Sequence, residues 1–115
     1  MHDEVLNNEM RKGFLKVIIL HTVQERPSHG YEIIQEIEKK THGRWAPSPG
    51  SVYPALEFLE KRGYIAGEEV DRKKVYTITV KGTETLEQIH AKRRQWIQEL
   101  NAFFGDFLED NDDGQ

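Results

Sequence analysis

The sequence predicts a mainly α-helical domain with one small β-hairpin, an α+β class, on three observations. Apolar residues recur at helical spacing in three segments before Gly63. The pattern alternates between residues 64 and 80, and helical spacing returns after Gly82. A chain of 115 residues can bury the core of one domain but has no room for two.

Residues 10–24 make the first helix. Met10, Phe14, Val17, Ile18, His21 and Thr22 share a face, which Leu15, Ile19, Leu20 and Val23 widen until the helix is nearly buried all round. Pro27-Ser28-His29-Gly30 breaks it, and Ser28 is the expected N-cap of a second helix that carries Tyr31, Ile33, Ile34 and Ile37 and ends near Gly43. The run from Pro47 to Ser51 reads as a loop with its own cap. A third helix follows with Val52, Leu56, Phe58 and Leu59, Pro54 in its first turn and a stop at Gly63. Residues 64–70 and 75–80 then alternate around the polar turn Asp71-Arg72-Lys73-Lys74, which predicts a hairpin with Tyr76, Ile78 and Val80 on one face and a basic tip.

Thr79 or Thr83 can cap a last helix from about Gly82 to Leu108. Within it Leu86, Ile89, Arg93, Trp96, Leu100, Phe103 and Phe107 follow steps of three and four, a heptad seam with one polar member, and Ile97, Phe104 and Leu108 extend the face. So long an aromatic stripe exceeds what the small domain can cover, and homodimerisation is the economical way to bury it.

Charge resolves by segment. The chain has 16 basic and 20 acidic groups, net −4, but residues 1–104 hold 16 bases against 15 acids, while Gly105 to Gln115 hold five acids and no base. The acidity belongs to a tail that is expected to be disordered. The domain reading is therefore 1–81 for the helices and hairpin, 82–108 for a dimerisation helix and 109–115 for a disordered acidic tail. With no cysteine there is no disulfide frame, thiolate zinc site or thiol chemistry. The charged start and a longest apolar run of Val17 to Leu20 predict neither a signal peptide nor a membrane span, hence a cytoplasmic protein.

Three helices, a hairpin and a final helix make the winged helix-turn-helix plan. Small and hydroxylated residues at the start of the third helix, Ser48, Gly50, Ser51 and Tyr53, let that end approach a groove closely, and its free N–H groups suit phosphates. Arg72, Lys73 and Lys74 suit backbone or minor-groove contact. A basic hairpin tip alone is as often a solvated turn.

The blocks Pro27-Ser-His-Gly-Tyr-Glu-Ile33, Gly50-Ser-Val-Tyr-Pro-Ala-Leu-Glu-Phe-Leu-Glu-Lys-Arg-Gly-Tyr-Ile65 and Lys74-Val-Tyr-Thr-Ile-Thr-Val-Lys-Gly82, in this order, resemble the signature of the PadR family of transcriptional regulators over about residues 10–82. The resemblance implies a dimeric repressor on a pseudo-palindromic operator in double-stranded DNA. It places DNA contacts at Tyr31, Ser51, Tyr53 and Pro54, makes Lys73 the best wing candidate and points to the smaller subfamily with a single C-terminal helix. The acidic tail is not part of the family pattern.

Two copies of Trp96, Phe103 and Phe107 could line a slot for a small aromatic effector, although a packed seam with no cavity is the preferred reading of the stripe. An enzyme is not expected. His2, His21, His29, His42 and His90 fall on different elements without a metal-ligand spacing, and neither a glycine-rich phosphate loop nor a calcium loop is present, so neither cofactor nor metal is implied. His29 reads as a polar helix-start residue, and Gly30, Pro54, Gly63 and Gly82 as structural. The competing readings are a winged-helix module for protein contact and a drug-binding sensor with weak DNA affinity.

Overall fold

The computed structural model describes the backbone of residues 2–105 and the side chains of residues 11–105. Its order is α1 (His2–Glu25), β1 (Ser28–His29), α2 (Gly30–Lys40), α3 (Pro49–Lys61), β2 (Ile65–Val70), β3 (Lys73–Ile78) and α4 (Val80–Phe103). This is the expected α+β class, with α1 extended at its N-terminal end. Phe107, Leu108 and the acidic tail lie outside the described residues.

Leu15, Ile19, Leu20 and Val23 of α1, Ile33 and Ile37 of α2, and Val52, Leu56 and Leu59 of α3 form one buried cluster with Ile65, Tyr76 and Leu86. These are the apolar positions of each helical pattern, so amphipathicity fixes which face turns inward. Because Val52, Leu56 and Leu59 are buried, the residues one step round α3 must be exposed: Ser51, Tyr53, Pro54, Glu57 and Phe58 face solvent.

Several local expectations are corrected. Ser28 does not cap α2. It pairs with Tyr76 in a short third strand, giving the order β1-β3-β2, and its hydroxyl donates to the Arg26 carbonyl at 3.0 Å. His29 takes the cap instead: its Nδ1 accepts from the Glu32 amide at 3.4 Å while the His29 amide donates to Glu32 Oε1 at 3.0 Å, a reciprocal capping box. Helix α3 begins earlier than expected, with Ser48 as N-cap and Pro49 at the first position, so Pro49, Gly50 and Ser51 are helical and not loop. Pro54 therefore sits inside the helix, beyond its first turn, where it removes one i to i−4 hydrogen bond. Val80 is no strand residue: Thr79 caps α4 through the Gly82 amide at 3.0 Å, and Val80 turns out to solvent.

Strands β2 and β3 pair from Ile65↔Ile78 to Val70↔Lys73, so the turn is only Asp71-Arg72, with φ of 51° and 68°. Positive φ at both central residues is the turn whose twist matches paired strands. Lys73 and Lys74 thus belong to β3, not to the loop.

The root of the wing is tied to α4 at one crowded point. The Thr79 amide donates to the Tyr64 carbonyl at 3.1 Å, its hydroxyl reaches the Gly63 carbonyl at 2.6 Å, and Lys81 Nζ donates to the Arg62 carbonyl at 2.7 Å. Gly82 packs directly on the Tyr64 carbonyl, and a Cβ there would overlap that oxygen and lie 2.7 Å from Ile78 Cγ1. Replacing Gly82→Ala is expected to cost about 2 kcal/mol by forced separation of backbone segments. Urea denaturation measures it, and an unchanged midpoint would remove this contact from the account.

Candidate nucleic-acid interface

The exposed face of α3 lies between two clefts, each of about 390 Å³. The first is lined by His29, Gly30, Tyr31, Tyr53, Tyr76 and the wing residues Arg72, Lys73 and Lys74. It therefore gathers five of the nine residues expected to contact DNA. The second joins Gly50, Ser51 and Pro54 to Lys12, Leu15, Lys16, Ala55 and Phe58. Of the remaining candidates, Ser48 is the α3 N-cap, and its hydroxyl lies 3.2 Å from that of Ser51.

Tyr31 and Tyr53 are 60% and 47% exposed, two large rings left in water beside the wing. The Tyr53 ring sits against the first residue of α2: a Cβ at Gly30 would lie 2.6 Å from Tyr53 Cε1. Gly30 thus earns its place through close approach, since its backbone needs no left-handed conformation. The capping box at His29 and Glu32 fixes the same helix end and so sets where Tyr31 stands. The backbone hydrogen bond from His29 holds the Glu32 carboxyl below its ordinary value of 4.5 against a smaller opposing effect of desolvation.

The wing cations are not equivalent. Arg72 and Lys73 are exposed and make no ion pair among the described residues. Lys74 Nζ donates to Glu60 Oε1 of α3 at 2.7 Å, and this hydrogen bond raises its pKa above the usual 10.5. Tyr76 is buried beneath, and desolvation raises its pKa.

Lys12 and Lys16 were not among the sequence candidates. Their spacing of four on the polar side of α1 was the available signal, but the apolar residues around them drew the helix towards an all-round core reading. Lys16 Nζ and the Arg62 guanidinium each lie 4.8 Å from the Phe58 ring centroid, so α3 carries an aromatic flanked by two cations.

On α4, Leu86 is fully buried, but the seam beyond it is open: Trp96, Leu100 and Phe103 are 64%, 40% and 81% exposed, with Ile97 and Phe104 beside them. Arg93 is also exposed and Ile89 partly buried. The fold does bring two histidines of separate elements together, His21 and His90, edge to face at 6.2 Å. No group of three or more His, Asp or Glu among the described residues could hold a metal ion, and none of their helices is long and apolar enough to cross a membrane.

A family model described as the transcriptional regulator PadR-like family matches residues 19–88. The transcriptional regulator YqjI of Escherichia coli is 42% identical over 77 residues, which cover 66% of this chain and 37% of that one; the chain thus spans little more than a third of that relative's length. The transcriptional regulator Rv3488 of Mycobacterium tuberculosis is 32% identical, with 80% of this chain and 83% of the relative covered. Among solved structures, a transcriptional regulator from Clostridium thermocellum superposes with a TM-score of 0.75 at 31% identity, covering 83% of this chain and 94% of the other. A PadR-like regulator from Bacillus cereus gives 0.70 at 31%, with 84% and 96% covered.

The capping box makes a pH prediction. A carboxyl whose folded pKa lies below its unfolded value stabilises the fold above that unfolded value and loses this contribution as pH falls through the folded one. The stability gap between wild type and Glu32→Gln is therefore expected to be full above pH 4.5 and to close towards more acid pH. Denaturation of both proteins across that range checks it, and a gap that widens in acid would refute the assignment.

Proposed function

The chain belongs to the PadR-like family of transcriptional regulators, and we propose that it is a homodimeric repressor that binds a pseudo-palindromic operator in double-stranded DNA. One observation carries this reading: the exposed face of α3 lies between clefts that bear wing cations on one side and α1 lysines on the other. Gly50, Ser51, Tyr53 and Pro54 would meet the major groove, with Ser48 and Tyr31 at the flanking backbone. Arg72 and Lys73 would reach the adjacent phosphates.

The exposed seam of α4 supports homodimerisation, since Trp96, Leu100 and Phe103 gain most by meeting the same residues on a second copy. Ile89, Arg93 and, beyond the described residues, Phe107 would complete it. A two-fold dimer would set two α3 helices into successive major grooves roughly 34 Å apart. Binding there would occlude a promoter, and an aromatic effector lodged between the α4 helices would release it by changing the angle between the two wings.

Gel shifts over a salt series, with DNA from upstream of the protein's own gene and with random duplex, test the reading. Lys73→Ala should weaken both complexes alike and reduce the salt slope by roughly one. Tyr53→Ala should instead lower preference for the upstream DNA, and absence of salt-dependent retardation of wild type would sink the proposal. The dimer has its own check: Leu100→Glu should move the protein to monomer mass in sedimentation, with helix content kept, because it places a charge on an exposed apolar seam. A wild-type protein that is already monomeric would overturn that part.

A further inference from the structure

We propose that Glu60 is a positioning and specificity-determining residue: it withholds Lys74 from the nucleic-acid backbone and locks the wing to α3, so that the tip offers two cations and not three. The inference rests on the reading of α3 and the wing as a DNA-contacting surface.

Glu60 stands in the last turn of α3, where one carboxylate serves both strands of the wing. Oε1 accepts from Lys74 Nζ of β3 at 2.7 Å, and Oε2 accepts from the Gly67 amide of β2 at 3.2 Å. The group is half-sheltered, with its side chain 29% exposed against 50% for Lys74. Lys74 also lies over the buried Tyr76 ring at 5.6 Å, which anchors its stem. Gly67 is the size filter of this unit: a Cβ there would stand 2.9 Å from Glu60 Oε2 and 3.2 Å from Lys74 Cγ, and would overlap Lys74 Cε.

A carboxylate at the root of a cationic wing is the wrong sign for raw affinity, because it repels the phosphates that Arg72 and Lys73 would attract. Its two hydrogen bonds explain what it supplies in return. They hold both strands at one angle to α3, so the wing cations meet phosphates only where α3 also fits its groove. Neutralising Lys74 lowers the sequence-independent attraction at the same time. Both effects favour discrimination over affinity.

The test uses the full chain in salt-series binding to the DNA upstream of its own gene and to random duplex, with hydrogen exchange of the Gly67 amide. Lys74→Ala should leave the salt slope unchanged, in contrast to Lys73→Ala. Glu60→Gln removes the negative charge and keeps one carbonyl oxygen, which can accept from the Gly67 amide while its NH2 group releases Lys74; it should steepen the slope by roughly one and tighten both complexes roughly fivefold to tenfold at about 0.1 M salt, with the preference between duplexes and the Gly67 protection retained. Glu60→Ala should steepen the slope likewise but lose both the preference and the protection. If Lys74→Ala lowers the slope by one, Lys74 contacts phosphate directly and the proposal is overturned. It is equally overturned if Glu60→Gln leaves the slope unchanged, because Glu60 is then only structural. A wild type that binds neither duplex with salt dependence overturns the DNA reading and this inference with it; salt-dependent wild-type binding with either variant result above overturns the inference alone.

Discussion

Everything on the outer side of this protein depends on the close approach of Gly82 to the Tyr64 carbonyl. At that point three elements converge: the end of α3, the first strand of the wing and the start of α4. Thr79 holds them with its amide on the Tyr64 carbonyl, its hydroxyl on the Gly63 and Tyr64 carbonyls and its oxygen on the Gly82 amide. One residue thus caps a helix and closes a strand corner together. The approach requires the absence of a side chain, since a Cβ at Gly82 has no free direction there. Consequently the wing and α4 leave the core from a common, rigid origin, and a displacement of one is felt by the other. In the proposed repressor, this is the mechanical route by which a change between paired α4 helices would reach the DNA-facing surface.

The same logic separates what is fixed from what is presented on α3. Val52, Leu56 and Leu59 are fully or almost fully buried, so the helix cannot rotate without opening the core. Its polar face is then displayed by default, and the clefts on either side owe their shape to neighbours that pack for other reasons. Gly30 is where this becomes specific, because the Tyr53 ring occupies the space its side chain would fill.

Much of this was legible in the sequence because periodicity reports burial. The inward residues of α2 and α3 and the alternation around the hairpin follow from pattern alone, whereas on α1 the pattern also places the exposed Phe14 and His21 on the apolar face, and it offers Thr79 and Thr83 alike as the cap of α4. What escaped was decided by partners distant in the chain. Ser28 is the better cap in isolation, and only its pairing with Tyr76 assigns it to the strand and leaves the cap to His29. Val80 continues the strand alternation, yet the Thr79 cap turns it into a helix and leaves it 75% exposed. Pro54 reads as a helix-start proline only as long as Pro49 reads as loop, and the helix begins at Pro49. Among the site residues, the run Arg72-Lys73-Lys74 reads as one basic tip until Glu60, 14 positions away from Lys74, takes the third cation.

That division of cations bears on how such a protein can achieve selectivity. Two lysines on the α3 side of the molecule are committed to carboxylates, Lys61 to Glu57 and Lys74 to Glu60. Exposed pairs of this kind contribute little stability, so their effect is mainly to lower the positive potential of the surface. With residues 1–104 at a formal net charge of only +1, attraction to an arbitrary polyanion is correspondingly weak. In the proposed repressor, affinity would then come from simultaneous fit of α3, the wing and a second copy. A change of angle at the shared origin of wing and α4 would break that simultaneity, so a body of low net charge would be easily released, whereas a strongly basic one would remain bound whatever its geometry.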